Sequence, residues 1–223
     1  MCDRYVLSDQ GAAEREFLPA KAWWKFTAKF NVAAQQYVPA IRVHGGQTEG
    51  MMMRWGLIPS WAEGRPTGDA MACVDMARIE RSNVYRMPWL SGQRCILPAL
   101  GFFEWQVQAD GKSKQPFYIT LNDQDVLGFA GLWDTSKGAD GVAVESCTIV
   151  TMPANQLMTE IHNVKHRMPA ILAKEDRETW LAGSAEEAFA VIKQYPDTHM
   201  VATPVSTRVN TPKNNDAKLI EPV

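Results

Sequence analysis

Residues 126–133 have the sequence VLGFAGLW, an apolar run rich in strand-forming residues, and a turn signal follows at 138–141 (GADG). Short apolar runs bounded by turn residues are typical of buried β-strands. Four other stretches have the same character. They are 36–43 (QYVPAIRV), 51–58 (MMMRWGLI), 117–121 (FYITL) and 146–151 (SCTIVT). The chain is therefore predicted to build its core from β-strands.

Helical patterns are fewer than strand patterns. They cover residues 10–17, 154–162, 174–181 and 185–195, the last behind a capping box formed by Ser184 and Glu187. Strands and helices do not alternate regularly, and neither a G-x-G-x-x-G motif nor a P-loop occurs. We predict an α+β fold with a curved, mainly antiparallel, barrel-like sheet and a few flanking helices, in one domain spanning residues 1–223.

Composition narrows the functional classes. At 223 residues and 46% hydrophobic content, the chain can bury one substantial core. Its net charge of −2 gives no overall attraction for nucleic acid, so DNA binding would need a local basic cleft. The sequence has no transmembrane-length run and no signal peptide, which predicts a cytoplasmic protein.

Cysteine usage argues against two kinds of site. The four cysteines include no C-x-x-C pair, which disfavours a zinc site and a secreted disulfide framework. Cys73, Cys95 and Cys147 are expected to be buried thiols. No metal and no other cofactor is expected.

Cys2, in the N-terminal sequence MCDRYVLSD, has distinct chemistry. Initiator methionine is normally removed before a small residue, and this would leave Cys2 with a free α-amine beside its thiol. The two groups have ordinary pKa values near ~8 and ~8.5, so both have a reactive fraction at neutral pH. Such an aminothiol condenses with an aldehyde and closes to a thiazolidine. The alternative is that a cysteine stands second by chance.

Two further stretches place polar or aromatic side chains in apolar surroundings. The segment Arg54–Trp61 (RWGLIPSW) combines two tryptophans and an arginine around a Gly/Pro bend, which suits base stacking if the rings are exposed. It also fits a core strand followed by a packed turn. Glu104 lies in Gly101–Trp105 (GFFEW), where desolvation would raise its pKa and suit a general acid or base. Strand alternation equally allows Glu104 to face water.

The segment Glu160–Pro169 (EIHNVKHRMP) is rich in basic residues. His162 ends the helix that begins near Ala154, where helix carbonyls favour a protonated imidazole. It is therefore a candidate proton carrier, or alternatively a simple capping residue. Lys165, His166 and Arg167 form a cluster suited to phosphate.

Nine motifs occur together in a fixed order. They are Met-Cys-x-Arg-Tyr at the N-terminus, Phe30–Ala33 (FNVA), Met53–Gly56 (MRWG) with Pro59 and Trp61, Ala77–Glu80 (ARIE), Arg94–Pro98 (RCILP), Gly101–Trp105 (GFFEW), Gln115–Tyr118 (QPFY), Ala130–Trp133 (AGLW), and Ile161–Asn163 (IHN) with Arg167–Pro169 (RMP). In order and position they resemble the SOS-response-associated peptidase (SRAP) family over residues 1–210, which leaves a C-terminal tail at 211–223.

The resemblance implies a function in the DNA damage response. Proteins of this family sense abasic sites in single-stranded DNA and trap them as covalent DNA–protein crosslinks, in which the mature N-terminal cysteine forms a thiazolidine. A cysteine-type autopeptidase activity is also attributed to the family. The resemblance implies a lyase-like enzyme. We expect a monomer without a cofactor that associates with the nucleoid when it is bound to damaged DNA.

Residue roles carry over by position. The expected catalytic residues are Cys2 as the nucleophile, Glu104 as the acid and base, and His162 as the proton shuttle. The expected DNA-binding residues are Arg4, Arg78 and Arg167 at phosphates, Trp55 as an aromatic wedge, and Asn31 in a nearby loop.

The chain departs from the family pattern at three positions. Asp3 replaces the usual glycine, Ala34 replaces a proline, and Met76 replaces an asparagine. Either slower crosslinking or a divergent member with another substrate is expected. Asp75 is adjacent to Met76, but strand alternation would point it to the opposite face unless a bulge intervenes. Two other functions stay open: a non-catalytic module that binds single-stranded DNA, and a cysteine peptidase in which His162 activates Cys2.

Overall fold

The computed structural model describes residues 3–66 and 69–223. Its strands, numbered β1 to β13 in chain order, are Arg4–Leu7, Lys21–Ala22, Lys29–Ala33, Tyr37–His44, Gln47–Trp55, Cys73–Asp75, Arg94–Ala99, Gly101–Val107, Lys114–Leu121, Leu127–Lys137, Ala143–Pro153, Arg167–Pro169 and Met200–Pro204. Its α-helices, α1 to α5, are Gln10–Phe17, Arg86–Leu90, Gln156–Ile161, Arg177–Ala182 and Ala185–Ala190. Short 3-10 helices include Ser60–Ala62, Met76–Arg81, Lys174–Asp176 and Ala217–Leu219.

Five strands form a closed barrel. β5, β4, β7, β10 and β11 follow one another through antiparallel pairs, and β11 then pairs in parallel with β5. The closing register sets Ser146 beside Arg54 and Cys147 beside Trp55. The predicted α+β fold with a curved, mainly antiparallel, barrel-like sheet is confirmed.

A second sheet has the strand order β13-β9-β8-β1-β3, and apolar residues cover both of its faces. Within β8, Phe102 belongs to the main core, whereas its neighbour Phe103 belongs to a smaller cluster. Tyr5 of β1 makes edge-to-face contacts with Trp55 and Phe129 of the barrel, at centroid distances of 5.2 and 5.9 Å. These aromatic contacts fix the sheet against the barrel.

β11 is the strand that gathers the site-bearing elements. β6 pairs with it in parallel, so that Thr151 lies beside Asp75, and β12 pairs with it antiparallel, so that Thr151 also lies beside Pro169. The segments around Asp75 and Arg167 are therefore held on either side of the same strand, although they are far apart in sequence.

The five predicted strands all occur, and the helix at 10–17 has the predicted bounds. The predicted helix at 154–162 is confined to Gln156–Ile161, and the one at 185–195 ends at Ala190. The predicted helix at 174–181 is a 3-10 turn followed by α4. The capping box of Ser184 and Glu187 is confirmed, since each side chain accepts a hydrogen bond from the other residue's backbone N–H.

The cysteine prediction is correct for two of three residues. Cys95 and Cys147 are completely buried. Cys73 is partly exposed and lines a cavity, because it lies at the start of the short strand β6 rather than inside the barrel. Within residues 3–66 and 69–223, none of the helices combines the length and apolar character needed to cross a membrane.

Candidate active site

Glu104 is buried, with 3% of the residue exposed. Side chains alternate along β8, so Glu104 shares the face of Phe102, which points to the main core. The alternative that Glu104 faces water is therefore wrong: both faces of this sheet are covered, and alternation does not lead to solvent here. A carboxylate in this position carries a desolvation cost that surface residues do not bear.

His162 lies at the C-terminal end of α3, as predicted, and its backbone N–H donates to the Met158 carbonyl at 2.8 Å. The following residue, Asn163, fixes this helix end against β8. Its Oδ1 accepts from the Val107 N–H at 3.0 Å, and its Nδ2 donates to the Val107 carbonyl at 2.9 Å. An asparagine side chain thus pairs with the end of the strand that carries Glu104.

The two buried groups face each other. His162 Nδ1 lies 3.9 Å from Glu104 Oε2, and their side chains are 8% and 3% exposed. The same Nδ1 lies 2.9 Å from the Arg167 carbonyl oxygen and 3.3 Å from the Arg167 amide nitrogen. The imidazole is therefore more than a helix cap, since the backbone of β12 sets its orientation.

Glu104 and His162 open onto a cavity of about 470 Å³. Its lining also contains Asp3, Arg4 and Lys165. Cys2, the predicted nucleophile, lies outside the described residues. Its neighbour Asp3 lines the cavity, so the chain enters the site at the position that directly follows Cys2.

An adjoining cavity of about 510 Å³ contains the predicted phosphate contacts Arg78 and Arg167, together with Asp75 and Cys73. Lys165 lines both cavities. Arg78 and Lys165 are exposed, whereas Arg167 is mostly buried. Three cations against one carboxylate make this cavity locally positive, despite the chain's net charge of −2.

Arg167 pairs with Asp75 across β11. Burial opposes ionisation of Asp75, but hydrogen bonds from the Arg167 guanidinium and the Ala77 N–H outweigh it, so the pKa of Asp75 is below its ordinary value. Asp75 stands two residues after Cys73 on β6, which places both on the face toward this cavity. Asp75 and Met76 line separate cavities, as expected for neighbours that face apart, but Asp75 rather than Met76 faces the cavity of Arg78 and Arg167. The strand ends here, and Asp75 caps the following 3-10 helix.

Met76 lies elsewhere. It lines a separate cavity of about 220 Å³ with Trp89 and Phe189. The replacement of the family's asparagine by Met76 therefore does not introduce a methionine into the cavity beside Glu104. Sequence reasoning assigned Asp75 no role at this point, although aspartate is a residue type that commonly caps the start of a helix, and Asp75 does so here by accepting from the Ala77 N–H.

Cys73 faces the same region as a protonated thiol. Burial raises its pKa well above the ordinary value, and the nearby carboxylates of Asp3 and Glu104 raise it further. A thiol in this state is a weak nucleophile.

Trp55 does not have the predicted exposure. It is 0% exposed, its indole N–H donates to the Ala72 carbonyl at 2.9 Å, and it packs against Tyr5. The expectation of an exposed aromatic wedge at Trp55 is wrong, because this end of β5 closes the barrel. Trp61 on the 3-10 helix beyond the bend is 62% exposed and is the tryptophan of this motif that solvent reaches.

Asn31 is also not in an exposed loop. It lies in β3, is 3% exposed, and donates from Nδ2 to the carbonyls of Val209 and Asn214 at 3.1 and 3.0 Å. Its Oδ1 accepts from Arg4 at 3.0 Å, and Arg4 also donates to Val209. The expected loop position is wrong: Asn31 and Arg4 bind the C-terminal segment. Partial burial lowers the pKa of Arg4, which still lines the cavity.

Metal ligands are not grouped in the part of the chain that the structure describes, where no cluster of three or more His, Cys, Asp or Glu side chains is suited to an ion. The described lining of the cavity beside Glu104 supplies two carboxylates, an imidazole and cationic side chains.

Comparison with known proteins agrees with the sequence resemblance. The family described as "SOS response associated peptidase (SRAP)" matches residues 1–212. Abasic site processing protein YoqW of Bacillus subtilis (strain 168) is 34% identical over 230 residues, covering 99% of each chain. Abasic site processing protein HMCES of Gallus gallus is 33% identical over 202 residues, covering 78% of this chain and 57% of the relative.

Solved structures share the fold. A protein from Bacteroides thetaiotaomicron superposes with a TM-score of 0.87 at 25% identity, with both chains fully covered. A protein from Bordetella bronchiseptica superposes with a TM-score of 0.79 at 24% identity, covering 92% of this chain and 100% of that one.

Proposed function

Because the chain belongs to the SOS-response-associated peptidase family, we propose that it processes abasic sites in single-stranded DNA by forming a covalent thiazolidine crosslink on Cys2 after Met1 is removed. Its relatives are named abasic site processing proteins. The observation that carries the proposal is the buried pair of Glu104 and His162 at 3.9 Å, facing a cavity that Asp3 also lines.

The reaction combines the aminothiol with the opened sugar. The α-amine of Cys2 attacks the C1′ aldehyde of the abasic site, and loss of one water gives an imine. The Cys2 thiol then adds to the imine carbon while the nitrogen gains a proton, which closes the five-membered ring. Net, one water leaves and no oxidant or reductant is needed.

Glu104 and His162 supply the proton transfers. Opening the sugar ring requires a proton at the ring oxygen and removal of the hydroxyl proton, and water loss from the carbinolamine requires another proton donor. A carboxyl and an imidazole on one cavity can serve as such an acid and base. His162 is assigned to the sugar side, where it stabilises the opened ring and assists reversal.

Recognition of DNA is assigned to cations rather than to base-reading groups. Arg78 and Lys165 are exposed beside the reacting cavity and suit phosphates. Contacts of this kind carry no sequence information. We further propose that the enzyme acts as a monomer.

Intact mass spectrometry under denaturing conditions tests the proposal. Protein without Met1, mixed with a single-stranded oligonucleotide that carries one abasic site, should gain the oligonucleotide's mass less one water. Cys2→Ser should lose this stable product. Cys73→Ser is the matched control, because Cys73 lines the neighbouring cavity and its replacement should leave the product unchanged.

Other results would assign the chain to another class. Binding of single-stranded DNA without an adduct would make it a non-catalytic binding module. Cys2-dependent cleavage of a peptide leader, with no adduct on abasic DNA, would make it a peptidase.

A further inference from the structure

The guanidinium of Arg167 is already bound to other side chains of the protein. One terminal nitrogen pairs with Asp75, the other donates to Thr151 Oγ1 at 2.9 Å, and its side chain is 16% exposed. Thr151 is itself fixed, since its hydroxyl donates to the Val74 carbonyl at 3.1 Å. A phosphate that approached Arg167 would have to displace Asp75. This contrasts with the exposed Arg78 and Lys165 beside it.

Asp75 has two partners at once. One carboxylate oxygen takes the Arg167 guanidinium, and the other accepts from the Ala77 N–H at 2.9 Å, capping the 3-10 helix that carries Arg78. The same carboxylate therefore fixes Arg167 on β12 relative to the helix of Arg78.

The backbone of Arg167 reaches the reacting groups. Its carbonyl oxygen lies 2.9 Å from His162 Nδ1, closer than its amide nitrogen at 3.3 Å. The carbonyl requires a proton on Nδ1, whereas the Arg167 N–H requires a lone pair there, and the shorter contact favours the tautomer in which Nδ1 is protonated and donates to the carbonyl. Nε2 is then the nitrogen with a free lone pair, and it is the atom able to accept a proton.

We propose that Asp75 is a positioning residue: by holding Arg167 away from DNA phosphate, it fixes the backbone that orients His162 with Nδ1 protonated and Nε2 as the base. Asp75 lowers the affinity for DNA and improves the alignment of the acid–base pair. Its effect on rate rests on the proposed function, whereas its effect on the imidazole does not.

Asp75→Asn tests this inference, because asparagine keeps the shape and the helix cap but loses the charge that holds Arg167. The freed arginine should bind unmodified single-stranded DNA more tightly, with a slope of log affinity against log salt steeper by about 0.7. Crosslinking at saturating abasic DNA should slow by about tenfold or more, since the imidazole is less well aligned. Damage to the fold would weaken binding and rate together.

Asp216→Asn is the matched control. Asp216 also pairs with an arginine, Arg208 at 2.7 Å, and also caps a 3-10 helix through the Lys218 N–H at 3.2 Å, but this pair is about half exposed in the C-terminal segment. Its replacement should change neither binding nor rate. Thr151→Val removes the other side-chain partner of Arg167 and should shift binding and rate in the same directions as Asp75→Asn.

Nitrogen NMR of the His162 ring gives a readout that needs no DNA. With signals assigned by His162→Gln, the wild type should show a protonated Nδ1 and a free Nε2, and Asp75→Asn should show a mixture of tautomers. An unchanged spectrum together with unchanged salt dependence would overturn the inference. If the wild type forms no crosslink, the proposed function fails, while the spectrum still decides the role of Asp75.

Discussion

His162 Nδ1 and Glu104 Oε2 lie 3.9 Å apart, with both side chains more than 90% buried. This distance exceeds a direct hydrogen bond and falls within the reach of one bridging atom or water. The two groups come from different structural elements, the end of α3 and the middle of β8. The carboxylate and the imidazole ring therefore lie close enough to serve one substrate, with Nε2 as the imidazole nitrogen that exchanges protons.

Glu104→Gln should slow formation of the denaturation-resistant adduct by roughly 10²-fold or more, because the amide cannot take up or release a proton. Binding to an undamaged single strand should be nearly unchanged. The time course of adduct formation at saturating DNA measures the first effect. Glu160→Gln, an exposed glutamate near the same helix end, should react at the wild-type rate.

Arg78→Ala should weaken binding of single-stranded DNA equally for all sequences and reduce the salt slope by about 0.7, because one cation that pairs with a phosphate is removed. Fluorescence anisotropy over a series of salt concentrations measures both quantities. Arg81→Ala is the control, since Arg81 belongs to the same 3-10 helix but lines the separate cavity of Met76. Affinity that follows base identity, or that ignores salt, would contradict the phosphate assignment.

Met76→Asn should leave the crosslinking rate within about twofold of wild type, whereas a side chain that touched the reacting atoms would change the rate by more than this. The sequence alone suggested that asparagine would restore a hydrogen bond and speed the reaction. The structure argues against this expectation, since Met76 lines a separate cavity, which Trp89 and Phe189 also line, rather than the cavity beside Glu104. A clear acceleration in single-turnover kinetics would show that residue 76 reaches the substrate after all.

Replacing each tryptophan of the Arg54–Trp61 motif should have a different effect, one on the stability of the fold and the other on DNA binding. Trp55→Ala should cost about 3–5 kcal/mol in the free energy of unfolding, because it empties a fully buried site. Trp61→Ala should change stability by no more than about 0.5 kcal/mol, since its ring is exposed. Urea denaturation measures both values. If Trp61 stacks on a base, only its replacement should weaken DNA binding at unchanged stability.

Glu16 gives a prediction about pH. Burial opposes its ionisation, but hydrogen bonds from Lys174 and Arg177 outweigh this effect and hold its pKa below the ordinary 4.5. A lowered folded-state pKa means that the stabilisation is complete above the unfolded value and is lost as pH falls through the folded value. Glu16→Gln should therefore be less stable than wild type at pH 7, with the difference shrinking below about pH 4.5.

Thermal or urea unfolding at several pH values measures this difference. Glu175→Gln, an exposed position on the 3-10 helix that carries Lys174, is the control variant for the same measurements. A difference that stays constant between pH 7 and pH 3 would mean that the carboxylate of Glu16 does not stabilise the fold through its charge.

The sequence predicted the strands well because apolar runs and turn residues are local signals. It placed Glu104 and His162 through family motifs, and the structure brings these two side chains together. Local patterns could not decide which face of β8 Glu104 occupies, because this depends on a second layer that covers the sheet. The same reason explains the error at Trp55, whose surroundings come from barrel closure rather than from its neighbours in sequence.

The expectation that residue 76 rather than Asp75 faces the basic cavity failed for a different reason. Strand alternation was applied beyond residue 75, where β6 ends and a 3-10 helix begins. Because the backbone turns at this residue, the period of two no longer relates Asp75 to Met76. The ion pair between Asp75 and Arg167 forms because β11 pairs with both β6 and β12. The sequence of either segment alone does not show this pairing.

Closure of the barrel through the parallel pairing of β5 and β11 has a consequence for biogenesis. Pairing between segments distant in the chain forms slowly, because a long loop must be ordered before the strands can stabilise each other. On the ribosome, the N-terminal cysteine emerges first, whereas β11, α3 and β12 emerge much later. Under the proposed function, a nascent chain that has lost Met1 presents the Cys2 aminothiol before Glu104 and His162 have been brought together by the fold.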